Sequence, residues 1–311
     1  MTLPQSTFVV IAPGMLTTVQ DIGRWGHQRY GVSVSGAMDE LSHRRANALV
    51  GNSETAATLE VTLVGPTLEF TCDARFAICG ATFEVDLDQH AISLDTVIHA
   101  KRGQMVIFSR RTGGARAYIA IAGGIDVRPV LGSRSTHVRS GLGGFDGRPL
   151  RAGDALAVGS FRGNPIRPVP AQKWRRPVVV GGSRIRVLPS VHNNYFDQAS
   201  RDRLLGTRYT ISAVSDRMGY RLENEHLTDR YDCALLSQAL PLGAIQVPPS
   251  GGVIVAMADR QTVGGYPRIA NVISADVPLL GQLGPDDWVS FEPCDIRTAR
   301  EALMESQREF T

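Results

Sequence analysis

Apolar residues in this 311-residue chain fall into short runs, mostly four to six long, bounded by Gly, Pro, Asp or Asn. The runs are Phe8–Ile11, Thr67–Thr71, Arg75–Ile78, Met105–Phe108, Ala117–Ala122, Val178–Val180, Ile185–Leu188, Val253–Ala256 and Trp288–Phe291. Most are rich in β-branched or aromatic side chains, which is how strands joined by turns read. The 32 glycines and 17 prolines leave little uninterrupted chain for long helices. Three helices are expected. Asp39–Val50 has Asp39 as N-cap and Gly51 past its end, Asp197–Leu205 stops before Gly206, and Ile296–Glu305 turns Ala299, Ala302 and Leu303 inward. The fold class is mainly β with a few short helices.

A weak internal repeat points to two copies of one β unit. GVSVSGAMD (Gly31–Asp39) faces ISAVSDRMG (Ile211–Gly219) at an offset of 180 residues. Gly65-Pro66 faces Pro248-Pro249, and Gly103, Val106 and Phe108 face Asp286, Val289 and Phe291, all at 183. A nearly constant offset is the signature of duplication. The basic, proline-rich segment Pro165–Arg176 is then the expected linker, and the boundary falls near residue 176.

Charge and cysteine usage exclude several function classes. The net charge is +3 with acids scattered throughout, too weak a field for a nucleic-acid surface. Of 33 basic residues only Lys101 and Lys173 are lysines, and neither sits in a phosphate-cradling GxxxxGK[ST] loop. Neither is flanked by the methionines that mark a biotinylated lysine. Cys72, Cys79, Cys233 and Cys294 form no CxxC pair, and the seven histidines form no HExxH, so no metal site is proposed. No GxSxG elbow is present, and no Ser–Ser–Lys constellation of an amidase can form around either lysine. The start MTLPQSTFVV lacks a secretory pattern, which makes the cytoplasm the expected location.

Four polar groups are candidate sites. In Thr17–Arg24, Gln20, Asp21 and Arg24 surround a glycine and can present an amide, a carboxylate and a guanidinium to a small lactam or urea-like ligand. The alternative is that Asp21 caps a turn and pairs with Arg24 on the surface. Ser35–Asp39 leads into the first helix, where free amides attract anions; Asp39 can equally serve as a plain N-cap. Its counterpart holds Asp216 and Arg217, either a bidentate anion site or exposed ion-pair residues. Gln246, Asp259 and Gln261, with the turn Gly264-Gly265-Tyr266, offer one carboxylate and two amides. Alternation along Val253–Ala258 is expected to bring Asp259 and Gln261 to one side. The alternative there is a hairpin end capped by Asp259. Gly123-Gly124 and Gly132-Ser133-Arg134-Ser135 are backbone-amide approaches or plain turns.

Longer blocks carry a resemblance. PGMLTTVQDIGRWGHQRYGVSVSGAMD, RRANALVGN, ATLEVTLVGPTLEF, AIAGGIDVRPVLGSRST, VSDRMGYRL, GAIQVPPSGGVIVAMADRQTVGGYPRIA and LLGQLGPDDWVSFEP cover about residues 10 to 293. The chain resembles the biotin-dependent carboxyltransferase family, also labelled allophanate hydrolase subunit 2, KipA or 5-oxoprolinase subunit PxpC. The resemblance implies two cyclophilin-like β-barrels in tandem, residues 1–175 with an extension and residues 176–311 with the C-terminal helix. It implies a subunit of an ATP-dependent 5-oxoprolinase, a hydrolase opening a cyclic amide to glutamate, inactive alone. The partners implied are a KipI/PxpB-like subunit and a PxpA-like subunit, with ATP bound through the complex. Asp259, Gln246 and Gln261 then bind and polarise the lactam. A second implied reading is the carboxyltransferase subunit of a urea-carboxylase-like system fed by carboxybiotin from a separate carrier. A third is a KipA-like regulator of a histidine kinase. PSVHNNYF (Pro189–Phe196) departs from the Gly-Pro-Gln of the family, which bears on the substrate of the second copy.

Overall fold

A computed structural model describes residues 7–160, 179–228 and 235–308. The chain divides into two compact units, one of Met1–Arg24 and Ser35–Val178, the other of Trp25–Val34 and Val179–Thr311. The expected linker Pro165–Arg176 lies outside the described residues.

The first unit holds β1 (Phe8–Ala12), β2 (Leu16–Gln20), β3 (Thr58–Thr62), β4 (Thr67–Phe70), β5 (Ala74–Leu87), β6 (His90–Ala91), β7 (Ile98–Ala100), β8 (Met105–Ile121) and β9 (Ala155–Leu156). They form one sheet in the order β2-β3-β8-β4-β1-β9, with β5 on β8 and β6 and β7 on β5. Met105–Phe108 and Ala117–Ala122, expected as two strands, belong, all but Ala122, to a single 17-residue strand. The polar stretch Ser109–Thr112 between them is exposed on both faces, yet Arg111 still pairs antiparallel with Phe83 of β5, where the register is irregular. Inward-facing Phe8, Leu59, Leu68, Phe70, Phe76, Ile78 and Ile119 build the core. The rings of Phe70 and Phe76 stack at 5.2 Å. Burying each such side chain contributes about 1.5–3 kcal/mol. Helix α1 (Glu40–Val50) starts at Asp39, whose carboxylate accepts from the Ser42 amide, and ends at the left-handed Gly51.

The second unit contains β10 (Gly182–Pro189), β11 (Tyr209–Ile211), β12 (Gly219–Glu223), β13 (Gln238–Ala239), β14 (Ala244–Gln246), β15 (Val253–Ala256), β16 (Val263–Gly264), β17 (Arg268–Val272) and β18 (Trp288–Pro293). Seven of them close a barrel, β10-β17-β14-β15-β12-β11-β18, and β13 pairs with β16 apart from it. Parallel pairing of β10 with β18 closes the ring. Val187, Tyr209, Tyr220, Ile245, Val255, Ile269 and Val289 are buried. Helix α2 (Gln198–Gly206) is capped by Asp197, α3 (Val277–Gly281) is an unanticipated single turn, and α4 is Ile296–Arg308. Val179 and Val180, expected in a strand, are not in one.

The chain is mainly β. The repeat is local in places. Gly103 and Asp286 both have positive φ, +84° and +69°, two residues before a strand. The paired Val106 and Phe108, and Val289 and Phe291, are all buried. Elsewhere the copies differ: Val34 is buried, whereas its counterpart Val214 is exposed.

Candidate functional site

In the first unit, the turn after β2 and the loop at Ser133–Thr136 are knitted together by one carboxylate. Asp21 Oδ1 accepts from Ser133 Oγ at 2.6 Å, Ser135 Oγ at 2.5 Å and the Gly23 amide at 2.8 Å. Its Oδ2 accepts from the Arg134 amide at 2.5 Å. Arg24 is 1% exposed and donates to the Ser135 carbonyl, so it does not sit on the surface. Gln20 Nε2 donates to Thr18 Oγ1 and the Thr136 carbonyl, while its buried Oε1 has no hydrogen-bond partner among the described residues. Ser35–Asp39 joins the same constellation, since the Ala37 amide donates to the Asp21 carbonyl. Ser35 has φ +57°, is 6% exposed, and its hydroxyl has no partner among the described residues. Gly36 has φ +92°, and a Cβ there would lie 2.9 Å from the Gly23 nitrogen. Sequence reasoning proposed Gln20, Asp21 and Arg24 as one site and Ser35 to Asp39 as another; tertiary contacts join the two segments.

Behind that turn lies a buried polar cluster that sequence reasoning missed. Glu60, on β3, is 1% exposed; its Oε2 accepts from the Met38 amide at 2.9 Å and the Tyr118 hydroxyl at 2.8 Å. Tyr118, on β8, accepts in turn from the Asp39 amide at 2.7 Å. Arg116 Nε lies 3.9 Å from Glu60 Oε1. Burial is the main cause pushing the Tyr118 phenol well above its ordinary range, so it remains a hydroxyl. The one available signal was an acid inside the otherwise apolar and hydroxylic run ATLEVT. Nearby, His43 is fully buried between Thr58 Oγ1 at 2.9 Å and the Glu54 carbonyl at 3.1 Å. A carbonyl only accepts, so Nε2 carries the proton and the neutral ring is satisfied. Desolvation lowers its pKa to about 4.

In the second unit, Asp259 and Gln261 do not share a side. Strand β15 stops at Ala256, and a turn that donates the Arg260 amide to the Met257 carbonyl follows. Asp259 is buried and Gln261 exposed, because the alternation expected through Ala258 ends with the strand. Asp259 is held bidentately by Arg217, Nε to Oδ2 and Nη2 to Oδ1, both at 3.0 Å. Asp216 is exposed and closes a turn by accepting from the Met218 and Gly219 amides. Gln246 is 7% exposed at the end of β14. Gly264, on the adjoining hairpin, is so close that a Cβ would sit 2.7 Å from Gln246 Nε2. Gly265 is half-buried and Tyr266 exposed. In Pro189–Phe196, the buried His192 accepts from the Arg268 amide at 3.3 Å, and Asn193 donates to the Ile269 carbonyl. Pro189 and Asn193 thereby help line an apolar cavity of about 180 Å³ between α2 and the barrel wall.

A model of the carboxyltransferase domain, subdomain A and B, matches residues 30–293, and the chain belongs to that family. It is 42% identical to a protein of Escherichia coli named as a 5-oxoprolinase subunit, over 301 residues, 97% of this chain and 96% of that protein. It is 32% identical to urea amidolyase of Saccharomyces cerevisiae over 96% of its own length, which is 17% of that protein. Among solved structures, the K. lactis urea amidolyase superposes with a TM-score of 0.93 at 30% identity, over 99% of this chain and 20% of that one.

Proposed function

We propose that this chain is one subunit of a 5-oxoprolinase, opening 5-oxoproline to glutamate together with a KipI/PxpB-like subunit and a PxpA-like subunit. The observation that carries the reading is the 42% identity to a 5-oxoprolinase subunit across nearly the whole of both chains. Gln20 and Ser35 supply what a lactam needs: a buried amide oxygen for its N–H and a hydroxyl for its carbonyl. Asp21 and Arg24 hold that turn in shape, and Asp39 caps the helix behind it. In the second unit, Gln246 and Gln261 offer two further amides beside Gly264, Gly265 and Tyr266. Asp259 acts there through Arg217, and Asp216 shapes the turn that carries Arg217.

The starts of α1 and α2 do not fit a triphosphate. Carboxylates of Asp39 and Asp197 already occupy the first turns of α1 and α2, where phosphate oxygens would need the amides. ATP is read as bound through the assembled complex. The test is glutamate release from 5-oxoproline by the purified chain with both partner subunits and ATP. Turnover that stops when this chain is omitted is the expected result; no glutamate from the complete mixture rejects the reading.

The likeness to urea amidolyase favours a second reading, transfer of a carboxyl group from carboxybiotin on a separate carrier to a urea nitrogen. Lys101, in the run HAKRG, lacks the flanking methionines of a biotinylated lysine, so in this reading biotin arrives on a separate carrier. Thermal-shift measurements with 5-oxoproline, urea and biotin separate the two, because a ligand that binds only the folded state raises its melting temperature.

A further inference from the structure

We infer that Glu60 and Tyr118 are positioning residues: together they clamp the consecutive amides of Met38 and Asp39 and so hold the Ser35 hydroxyl where the substrate meets it. The inference rests on the proposed function for the identity of the substrate, and on the structure alone for the clamp.

Three observations carry it. The first is cost. A carboxyl, a phenol and a guanidinium, each 5% exposed or less, occupy space between β3, β8 and the start of α1 that apolar side chains could fill. Burying such groups is unfavourable unless each is well bonded, and a buried polar cluster is weak evidence for stability by itself.

The second is direction. Beside the hydrogen bond within it, the cluster accepts two from the backbone. Glu60 Oε2 takes the Met38 amide and Tyr118 Oη the Asp39 amide, and the Tyr118 hydroxyl donates back to Glu60 Oε2. Two successive peptide planes are thereby fixed from the core side, immediately before the first turn of α1. Asp39 uses its own carboxylate on Ser42, so capping alone would already complete the helix start. The clamp therefore acts upstream of the helix, on the turn.

The third is what the clamp holds. Ser35, three residues before Met38, has φ +57°, a conformation unfavourable for a non-glycine residue that persists only when its surroundings impose it. Its hydroxyl is buried and without a partner among the described residues, an unfavourable state unless a ligand completes it. A strained serine with an unsatisfied hydroxyl, at the start of a turn whose far end is held by two hydrogen bonds to the Met38 and Asp39 amides, is arranged for a contact made only when substrate is bound.

The experiment uses the assembled enzyme and the variants Ser35→Ala, Tyr118→Phe, Glu60→Gln and the double variant Ser35→Ala/Tyr118→Phe. Turnover is measured at saturating partner subunits, and exchange of the Met38 and Asp39 amides by NMR. Tyr118→Phe and Glu60→Gln are expected to speed exchange of those amides and to lower kcat by about tenfold with KM within about twofold, as a displaced contact does. Ser35→Ala is expected to lower kcat similarly with exchange unchanged, and the double variant to be no slower than Ser35→Ala. Losses that multiply in the double variant, wild-type turnover in Ser35→Ala, or unchanged amide exchange in both clamp variants would overturn the inference. A wild-type complex that makes no glutamate rejects the functional reading instead. The exchange measurement still decides the clamp in that case, with faster exchange supporting it and unchanged exchange sinking it.

Discussion

Arg217 and Asp259 show how differently one residue reads alone and in place. Each offers ligand chemistry by type, yet the two are 5% and 4% exposed and bind each other through two 3.0 Å bonds. Removing one partner of a buried pair typically costs about 3–5 kcal/mol, because the remaining charge keeps its desolvation penalty. Asp259→Ala is therefore expected to lower stability by that order in urea unfolding; a loss under about 1 kcal/mol would show that the pair is effectively solvated. His43 makes a second residue-scale prediction. Its pKa in the fold is about 4, mainly through burial, against about 6.5 in the unfolded chain. Between those values the unfolded state binds the extra proton, so the contribution is whole above about pH 6.5 and is lost as pH falls towards 4. The full loss is about 3 kcal/mol by the usual conversion. Unfolding measured at pH 7 and pH 5 should show a drop in wild type that shrinks in His43→Gln. Neither the pair nor the histidine's burial was legible in sequence, since both depend on segments distant in the chain.

At the scale of elements, local rules read well. Asp39 and Gly51 bracket α1 and Asp197 starts α2 as their residue types demand, because a cap is decided within four residues. Gly36 is the stricter position. Its φ of +92° and the 2.9 Å approach to Gly23 leave no room for a methyl group. Gly36→Ala should therefore destabilise by more than about 1 kcal/mol, read as a lowered melting temperature, and depress turnover with it. Gly264→Ala tests the other hairpin. Its Cβ meets the flexible end of Gln246, so stability should change by less than about 1 kcal/mol while KM rises severalfold if Gln246 contacts substrate. Strand lengths were less legible. The exposed polar stretch inside β8 looked like an interruption, but pairing with β5 carries the strand through it.

For the whole molecule, the expected outcome is a stable hetero-complex. Strand ends such as β2 and β9 terminate the first unit's sheet path, and exposed edges are normally covered or charged. Co-expression with a KipI/PxpB-like subunit should give a single species in size-exclusion chromatography; separate elution counts against a shared enzyme. The order of apolar runs, turn residues and caps was enough to determine a mainly β chain, because that information lies within a few residues of each position. Which polar groups meet was decided only by tertiary structure. Asp21 reaches Ser133 and Ser135 across 112 and 114 residues, Glu60 reaches the Met38 amide across 22, and Tyr118 meets the Asp39 amide across 79. A carboxylate's type says what it can bind, but its partner depends on the path of the whole chain, and burial then turns that meeting into a strong and specific contact.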